Sequence, residues 1–424
     1  HLLFTCHFRE MITKMTDKNR NLYSKCLKLL EWFPAVAILG ARQTGKTTLA
    51  KALGKNWTYV DLERPEDMDR LSYDPSFFFT EHPASLILDE AQEYPEIFKT
   101  LRGVIDADRK KNGRFILTGS SSPALITEIS ETLAGRVAIV ELGTFKSNEY
   151  YELPLSPFYS LFETGLSKAV PVAGTPPLSR RQIQRCWLYG GYPEPALADD
   201  PQRHAVWMDN YRDTYINRDI AKLFPKLNRQ RYRRFLTMLC KLSGTLINKS
   251  HIGRAVEASE STIRDYLDIA HGTYIWRKLS CFEGSVTKSI TKMPKGYIRD
   301  SGLLHHLLGI HSVDELMTDP VVGASFKAYV CDELIKGLEA TLVSNWSVHY
   351  YRTRGGAEID LIIEGPFGVL PVEIKYGSSV KRSSLKSLTG FVKDNGLPMG
   401  VLVNQGEQVE WVTPEIVQVP AGWL

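Results

Sequence analysis

Apolar residues in the first 145 positions concentrate in short, mainly apolar runs separated by polar, helix-forming stretches. The runs are Ala35 to Leu39, Trp57 to Leu62, Ser85 to Asp89, Arg114 to Thr118 and Val137 to Leu142. Runs of this length suit strands that are buried on both faces. Their alternation with helical segments predicts an α/β fold built on a doubly wound parallel sheet. The pattern changes after that: Gly165 to Leu178 is rich in Pro and Gly and marks a linker or long loop, and the next segment is mainly helical. Near the end, Ala357 to Ile363 and Val369 to Lys375 read as two strands joined by the turn Gly365-Pro366-Phe367-Gly368. Period-two alternation puts Glu358 with Asp360 on one face, and Glu373 with Lys375 on one face.

The turn after the first run carries the clearest chemistry. Gly40-Ala41-Arg42-Gln43-Thr44-Gly45-Lys46-Thr47, followed by Thr48 and a helix to Leu53, fills every fixed position of a phosphate-binding P-loop between a strand and a helix. Gly40 and Gly45 let successive N–H groups turn inward toward phosphate oxygens, at the positive end of the following helix. Lys46 is placed for the β- and γ-phosphates and the Thr47 hydroxyl for Mg²⁺, so ATP and Mg²⁺ are the expected ligands. The third run ends in Asp89-Glu90-Ala91-Gln92, where Asp89 suits the metal shell and Glu90 the activation of water. The same two acids also suit a plain helix start. The fourth run ends in Thr118-Gly119-Ser120-Ser121, whose hydroxyls fit a γ-phosphate sensor and equally an ordinary turn.

At 424 residues the chain is long enough for two or three domains, and a hydrophobic fraction of 43% with 24% charged residues is that of a globular protein. No apolar stretch approaches the length needed to cross a bilayer, and Leu2-Leu3-Phe4 is too short for a signal peptide, so no membrane partner and a cytoplasmic location are expected. The six cysteines are scattered singly, without a metal or redox spacing.

A net charge of +4 says little by itself, but its distribution is uneven. From Arg203 to Lys241 ten Lys or Arg face three Asp, interleaved with aromatics that serve either a helix core or base stacking. Ile252 to Val256, the turn Glu257-Ala258, and Ser259 capping Glu260 to Leu267 have helix-turn-helix spacing. The strand expected from Thr273 to Leu279, with Lys288, Lys292 and Lys295 as a wing, makes the module look like a winged helix. Glu260, Ser261, Thr262 and Arg264 then face a duplex, unless the module serves protein contacts. Asp360 on one late strand and Glu373-x-Lys375 on its neighbour form a donor set for metal-assisted phosphodiester cleavage, and equally the solvated face of a hairpin.

The order of these motifs, with Leu133-Ala134-Gly135-Arg136, Gly190-Gly191-Tyr192-Pro193-Glu194, Tyr215 to Ile220, Pro294 to Leu303 and Val372-Glu373-Ile374-Lys375, resembles the prokaryotic AAA-type ATPases that carry a C-terminal DUF4143 region. The resemblance runs from about Lys25 to the end. It implies an N-terminal extension over 1–20, an ATPase domain over 21–160, a helical lid and linker over 161–240, a winged-helix-like domain over 241–315 and a PD-(D/E)XK nuclease-like domain over 316–424. It makes Glu90, Lys46, Thr118 and Arg136 the catalytic candidates, and Arg136 and Arg218 candidate γ-phosphate sensors, with a surface salt bridge as the alternative for each arginine. In relatives the helix opening Gly323-Ala324-Ser325-Phe326 usually continues with Glu, where this chain has Lys327. The expected function is an ATP-driven switch acting on duplex or single-stranded DNA or on a protein partner. The alternative is an ATP-dependent nuclease using Asp360, Glu373 and Lys375. A helicase is disfavoured because no second RecA-like domain is visible.

Overall fold

A computed structural model describes residues 18–120, 123–225, 227–282 and 293–424. The wing residues Lys288 and Lys292, together with Ser121, lie outside the described residues. The chain divides into two compact units, one of His1–Phe145, Tyr192–Ala198 and Gly272–Tyr274, the other of Lys146–Gly191, Asp199–His271 and Ile275–Leu424.

The first unit is built on five parallel strands, β1 (Ala35–Gly40), β2 (Thr58–Asp61), β3 (Leu86–Asp89), β4 (Phe115–Ser120) and β5 (Val137–Glu141), in the order β2-β3-β4-β1-β5. The apolar runs become strands because both faces are covered. Ala35, Ala37 and Leu39 of β1 pack into one cluster with Phe98, Leu101 and Ile105 of helix Ile97–Ala107. Val36 and Ile38 pack into another with Leu22, Cys26 and Leu30 of helix Leu22–Trp32 and with Leu49 and Ala50 of helix Lys46–Leu53. Since all five strands run in one direction, the P-loop after β1, Asp89 at the end of β3 and Ser120 at the end of β4 share one edge of the sheet, where ligands of such sheets bind.

The second unit holds a mixed nine-stranded sheet of β6 (Thr245–Leu246), β7 (Trp276–Cys281), β8 (Lys295–Ile298), β9 (Ser347–Arg352), β10 (Glu358–Gly365), β11 (Gly368–Ile374), β12 (Gly400–Asn404), β13 (Glu410–Thr413) and β14 (Ile416–Pro420). Its order is β13-β14-β12-β11-β10-β9-β7-β8-β6. The expected late hairpin is β10–β11. Leu361, Ile363, Leu370 and Val372 pack with Phe326, Val330 and Leu334 of helix Val322–Glu339. Ile359 and Ile362 point the other way, toward Leu388 and Phe391 of helix Lys386–Asp394. Strands β6 to β8 come from the stretch expected as a separate 241–315 domain, yet they continue the same sheet, because β7 places Ser280 and Cys281 beside His349 and Tyr350 of β9. The helix-turn-helix segment forms helices Lys249–Val256 and Glu260–Gly272, with Glu257 left-handed between them at φ 56°.

Candidate functional site

The P-loop is shaped by a close approach and by two left-handed residues. β5 runs on so that Leu142 N–H donates to Leu39 O at 2.7 Å, and a Cβ at Gly40 would stand 2.2 Å from Leu142 O. Gln43 and Gly45 have φ of 64° and 91°, which folds the loop back on itself. The buried Thr44 closes it by donating from Oγ1 to Ala41 O at 2.9 Å. Arg20, ahead of helix Leu22–Trp32, donates to Thr44 O at 2.8 Å and to Gly143 O at 2.7 Å, tying the loop to the chain leaving β5. No local signal points to Arg20, since its partners lie 24 and 123 residues away.

Lys46 is buried, and its ammonium donates to Gly40 O at 3.2 Å, Ala41 O at 3.0 Å and Ser120 Oγ at 3.2 Å. Burial lowers its pKa against the opposing charges of Glu90 and Asp89. Thr47 Oγ1 lies 2.9 and 3.1 Å from the two oxygens of Asp89. Asp89 also accepts from the Tyr59 hydroxyl at 2.6 Å and from Thr118 Oγ1. Tyr59 is a site residue that the motif pattern does not show; burial and then its bond to Asp89 push its phenol well above the ordinary range.

Glu90 sits at φ 53°, left-handed for a residue with a side chain, and its N–H donates to Thr118 Oγ1 at 3.1 Å. Backbone held in such a region costs of order 1–3 kcal/mol and persists where surrounding bonds fix it. Here Gln92 Nε2 at 2.6 Å, Ser120 N–H at 3.1 Å and Ser120 Oγ at 3.0 Å all donate to the Glu90 carboxylate. Burial raises the pKa of Glu90, but Lys46, Gln92 and Ser120 more than offset it, so the carboxyl lies below its ordinary value. Lys46, Thr47, Asp89, Glu90 and Thr118 are thus brought together, with Ser120 between the lysine and the glutamate.

The remaining loop residues are more peripheral. Arg42 pairs with Glu63 at 2.9 Å. Thr48, with Tyr23, Gly45, Lys55 and Phe145, lines a cavity of about 220 Å³ beside the loop. Arg136 is not brought to this site. Its fork meets both oxygens of Asp106 at 2.8 Å, and its carbonyl accepts from Ala35 N–H at the start of β1. The six residues of β1 separate that level from the loop by about 20 Å, so the expectation that Arg136 senses phosphate in its own site is corrected to the salt-bridge alternative, with Asp106 as partner. The side chain of Arg218 is outside the described residues.

At the other candidate site, Asp360, Glu373 and Lys375 do meet. Ile374 N–H donates to Asp360 at 3.0 Å, and Lys375 Nζ lies 2.6 Å from Glu373. Lys327 Nζ lies 2.5 Å from Asp360, and Lys295 Nζ lies 2.8 Å from Glu358 and 3.9 Å from Asp360. Burial and the charge of Asp360 push Glu373 up to about 7, against Lys375 and Lys327. Ammonium groups therefore stand where a divalent ion would, and among the described residues no three His, Cys, Asp or Glu side chains are grouped to hold one. The residues do not fit a metal here.

Family models match three stretches of the chain: an AAA domain over residues 33–151, a domain of unknown function (DUF8612) over 180–314 and a domain of unknown function (DUF4143) over 322–424. The chain is 32% identical over 416 residues to an uncharacterized protein of Mycobacterium tuberculosis and to one of Mycobacterium bovis, covering 97% of this chain and 85% of each relative. Among solved structures it is similar to a Walker-type ATPase of Pyrococcus abyssi, at 15% identity and TM-score 0.42, covering 69% of this chain and 99% of that one. It is also similar to the RuvB Holliday junction branch migration motor of Thermotoga maritima, at 14% identity and TM-score 0.31, covering 61% and 89%.

Proposed function

This chain belongs to the AAA-type P-loop ATPases that carry a C-terminal DUF4143 region, and from that premise we propose that it is an ATP-hydrolysing switch that works on DNA or a protein partner. The observation that carries the reading is the placement of Ser120 Oγ, 3.2 Å from Lys46 Nζ and 3.0 Å from Glu90 Oε1. The phosphate clamp and the base thus meet at one point at the sheet edge.

Lys46 exchanges the carbonyls of Gly40 and Ala41 for the β- and γ-phosphate oxygens of ATP. Thr47 and Asp89, whose side-chain oxygens approach to 2.9 Å, would be the residues to hold Mg²⁺. When bound, the ion neutralises charge developing on the phosphates. Glu90, kept ionised by its surroundings, takes the proton of the attacking water, and Thr118 fixes Glu90 relative to Asp89. The cavity beside Thr48 has room for the nucleoside.

In the same reading residues 161–240 form the lid and linker, and 241–315 a winged-helix-like segment whose strands extend the sheet of the 316–424 nuclease-like fold, used without cleavage. The Lys327–Asp360 pair supports the absence of cleavage. Among the described residues five cysteines are free, which supports a cytoplasmic placement. Among the described residues no helix is long and apolar enough to cross a membrane.

The test is the ATPase rate with and without single-stranded DNA, duplex DNA and RNA, alongside incubation of the protein with Mg²⁺ or Mn²⁺ and linear or nicked DNA. ATP turnover without DNA cutting is expected. Metal-dependent cutting that disappears in Asp360→Ala would overturn the inactive reading of the C-terminal fold, and absence of ATP turnover under every condition would overturn the switch.

A further inference from the structure

Helix Arg229–Lys241 is packed by one side only. Tyr232, Phe235, Leu236, Leu239 and Cys240 are buried, and the first two rings meet Tyr266 at centroid separations of 5.2 and 5.4 Å. Arg229, Arg233, Arg234, Thr237 and Lys241 are exposed. At about 100° and 1.5 Å per residue they share an arc of about 140° along roughly 18 Å of helix.

The helix contains no acidic residue. Some surface arginines elsewhere meet carboxylates, as Arg42 does with Glu63, Arg136 with Asp106 and Arg212 with Asp209. Among the described residues no ion pair reaches Arg229, Arg233, Arg234 or Lys241, nor Lys249 and Arg254 of the next helix. The arrangement is locally unfavourable. Arg229 and Arg233 are like charges four residues apart, and Arg229 and Arg231 lie in the first turn, at the positive end of the helix dipole.

The second helix of the helix-turn-helix pair has the opposite character. Glu260–Gly272 exposes Glu260, Asp265 and Asp268 against Arg264, whose guanidinium lies 3.8 Å from Asp265. The Ser259 hydroxyl bonds those of Ser261 and Thr262 at 2.8 and 2.9 Å. A face with an excess of acids is repelled by a groove lined with phosphates. This charge balance argues against Glu260, Ser261, Thr262 and Arg264 facing a duplex.

We propose that the exposed cationic face of helix Arg229–Lys241 binds the phosphate backbone of duplex DNA without reading bases, while helix Glu260–Gly272 stays out of the groove. This names the partner of the ATPase reading and rests on that reading for its purpose. Guanidinium forks match phosphate oxygens. A single strand would need stacking platforms, and the aromatic rings of this helix are turned into the core. A membrane surface would need apolar side chains beside the charges, and the exposed face carries none.

The experiment measures binding of a fluorescent duplex to the nucleotide-free full chain by anisotropy across a salt series. Four phosphates neutralised give a log–log slope of about −3.6, or roughly 150-fold weaker binding from 50 to 200 mM salt. Arg229→Gln, Arg233→Gln, Arg234→Gln and Lys241→Gln together should flatten the slope by about 3 to 4, and lysine at the three arginine positions should restore it. Arg264→Gln should change affinity less than about twofold. No binding at 50 mM salt, tighter binding of single strands, equal binding of polyglutamate, or sensitivity to Arg264→Gln in place of the quadruple variant would overturn the proposal. A fluorescent ATP analogue titrated into the same preparations keeps the two readings apart. Intact nucleotide binding without duplex binding refutes only the DNA surface, whereas absent nucleotide binding refutes the ATPase.

Discussion

Replacing Glu373 with Gln should make stability less dependent on pH, in a direction opposite to that of an ordinary surface carboxylate. In the folded chain Glu373 titrates near 7, against an ordinary value of 4.5, because it is buried beside the charge of Asp360. Between those two values the folded state holds a proton that the unfolded state has released. Unfolding free energy then falls by about 1.4 kcal/mol per pH unit as pH rises, for a total of about 3 kcal/mol across the window. Below 4.5 both states are protonated and the cost is absent; above 7 it is fully present. Glu373→Gln removes the titration but also the 2.6 Å contact with Lys375. That ion pair exists only while Glu373 is ionised, so its effect is already part of the folded-state titration near 7. The quantity to follow is therefore the difference between variant and parent. It should move by about 3 kcal/mol in favour of the variant between pH 4.5 and pH 8, measured by urea unfolding at each pH. A difference that stays flat, or moves against the variant, would refute the packing of Glu373 against Asp360 described here.

Three further outcomes follow from the first unit. Gly40→Ala forces β1 and β5 apart, since its Cβ would lie 2.2 Å from Leu142 O; a lower melting temperature and weaker binding of a fluorescent ATP analogue are expected, and an unchanged protein would contradict the close approach. Thr118→Val keeps the shape but removes the bonds to Asp89 and the Glu90 N–H, so turnover should fall about 10- to 100-fold with nucleotide affinity nearly intact, as for loss of a group that positions the base; equal loss of affinity would place Thr118 in ground-state binding instead. Arg136→Gln should leave nucleotide affinity within about twofold, because that side chain is engaged with Asp106; titration of the same analogue checks it.

The first unit is legible in the sequence because its strands are covered on both faces, which leaves continuous apolar runs such as Ala35 to Leu39. Each expected strand there matches an observed one to within two residues at either end. The grouping of Lys46, Thr47, Asp89, Glu90 and Thr118 is legible for the same reason: each lies near or just beyond the C-terminal end of a visible strand, and parallel strands bring those ends to one edge. Arg20 and Tyr59 escape because they act through folded contacts with no local pattern, and Lys295, expected in a wing, is buried and instead pairs with Glu358. Arg136 misleads because its position in the motif order does not reveal which end of the sheet it occupies. The joining of β7 to β9 is hidden as well, since two short strands separated by a helix-rich stretch carry no mark of their pairing. Lys327 shows the reverse: a single unexpected residue type in the sequence anticipates the ammonium that the structure places against Asp360.

The proposed roles of Lys46 and Glu90 as clamp and base of an ATPase are tested most directly by single-turnover ATP hydrolysis measured together with nucleotide affinity. Lys46→Ala should lose most nucleotide affinity. Glu90→Gln should bind ATP as the parent does and hydrolyse it roughly 10²- to 10⁴-fold more slowly, the usual cost of removing a positioned general base. Hydrolysis by Glu90→Gln at the parental rate, or parental ATP affinity in Lys46→Ala, would contradict those roles.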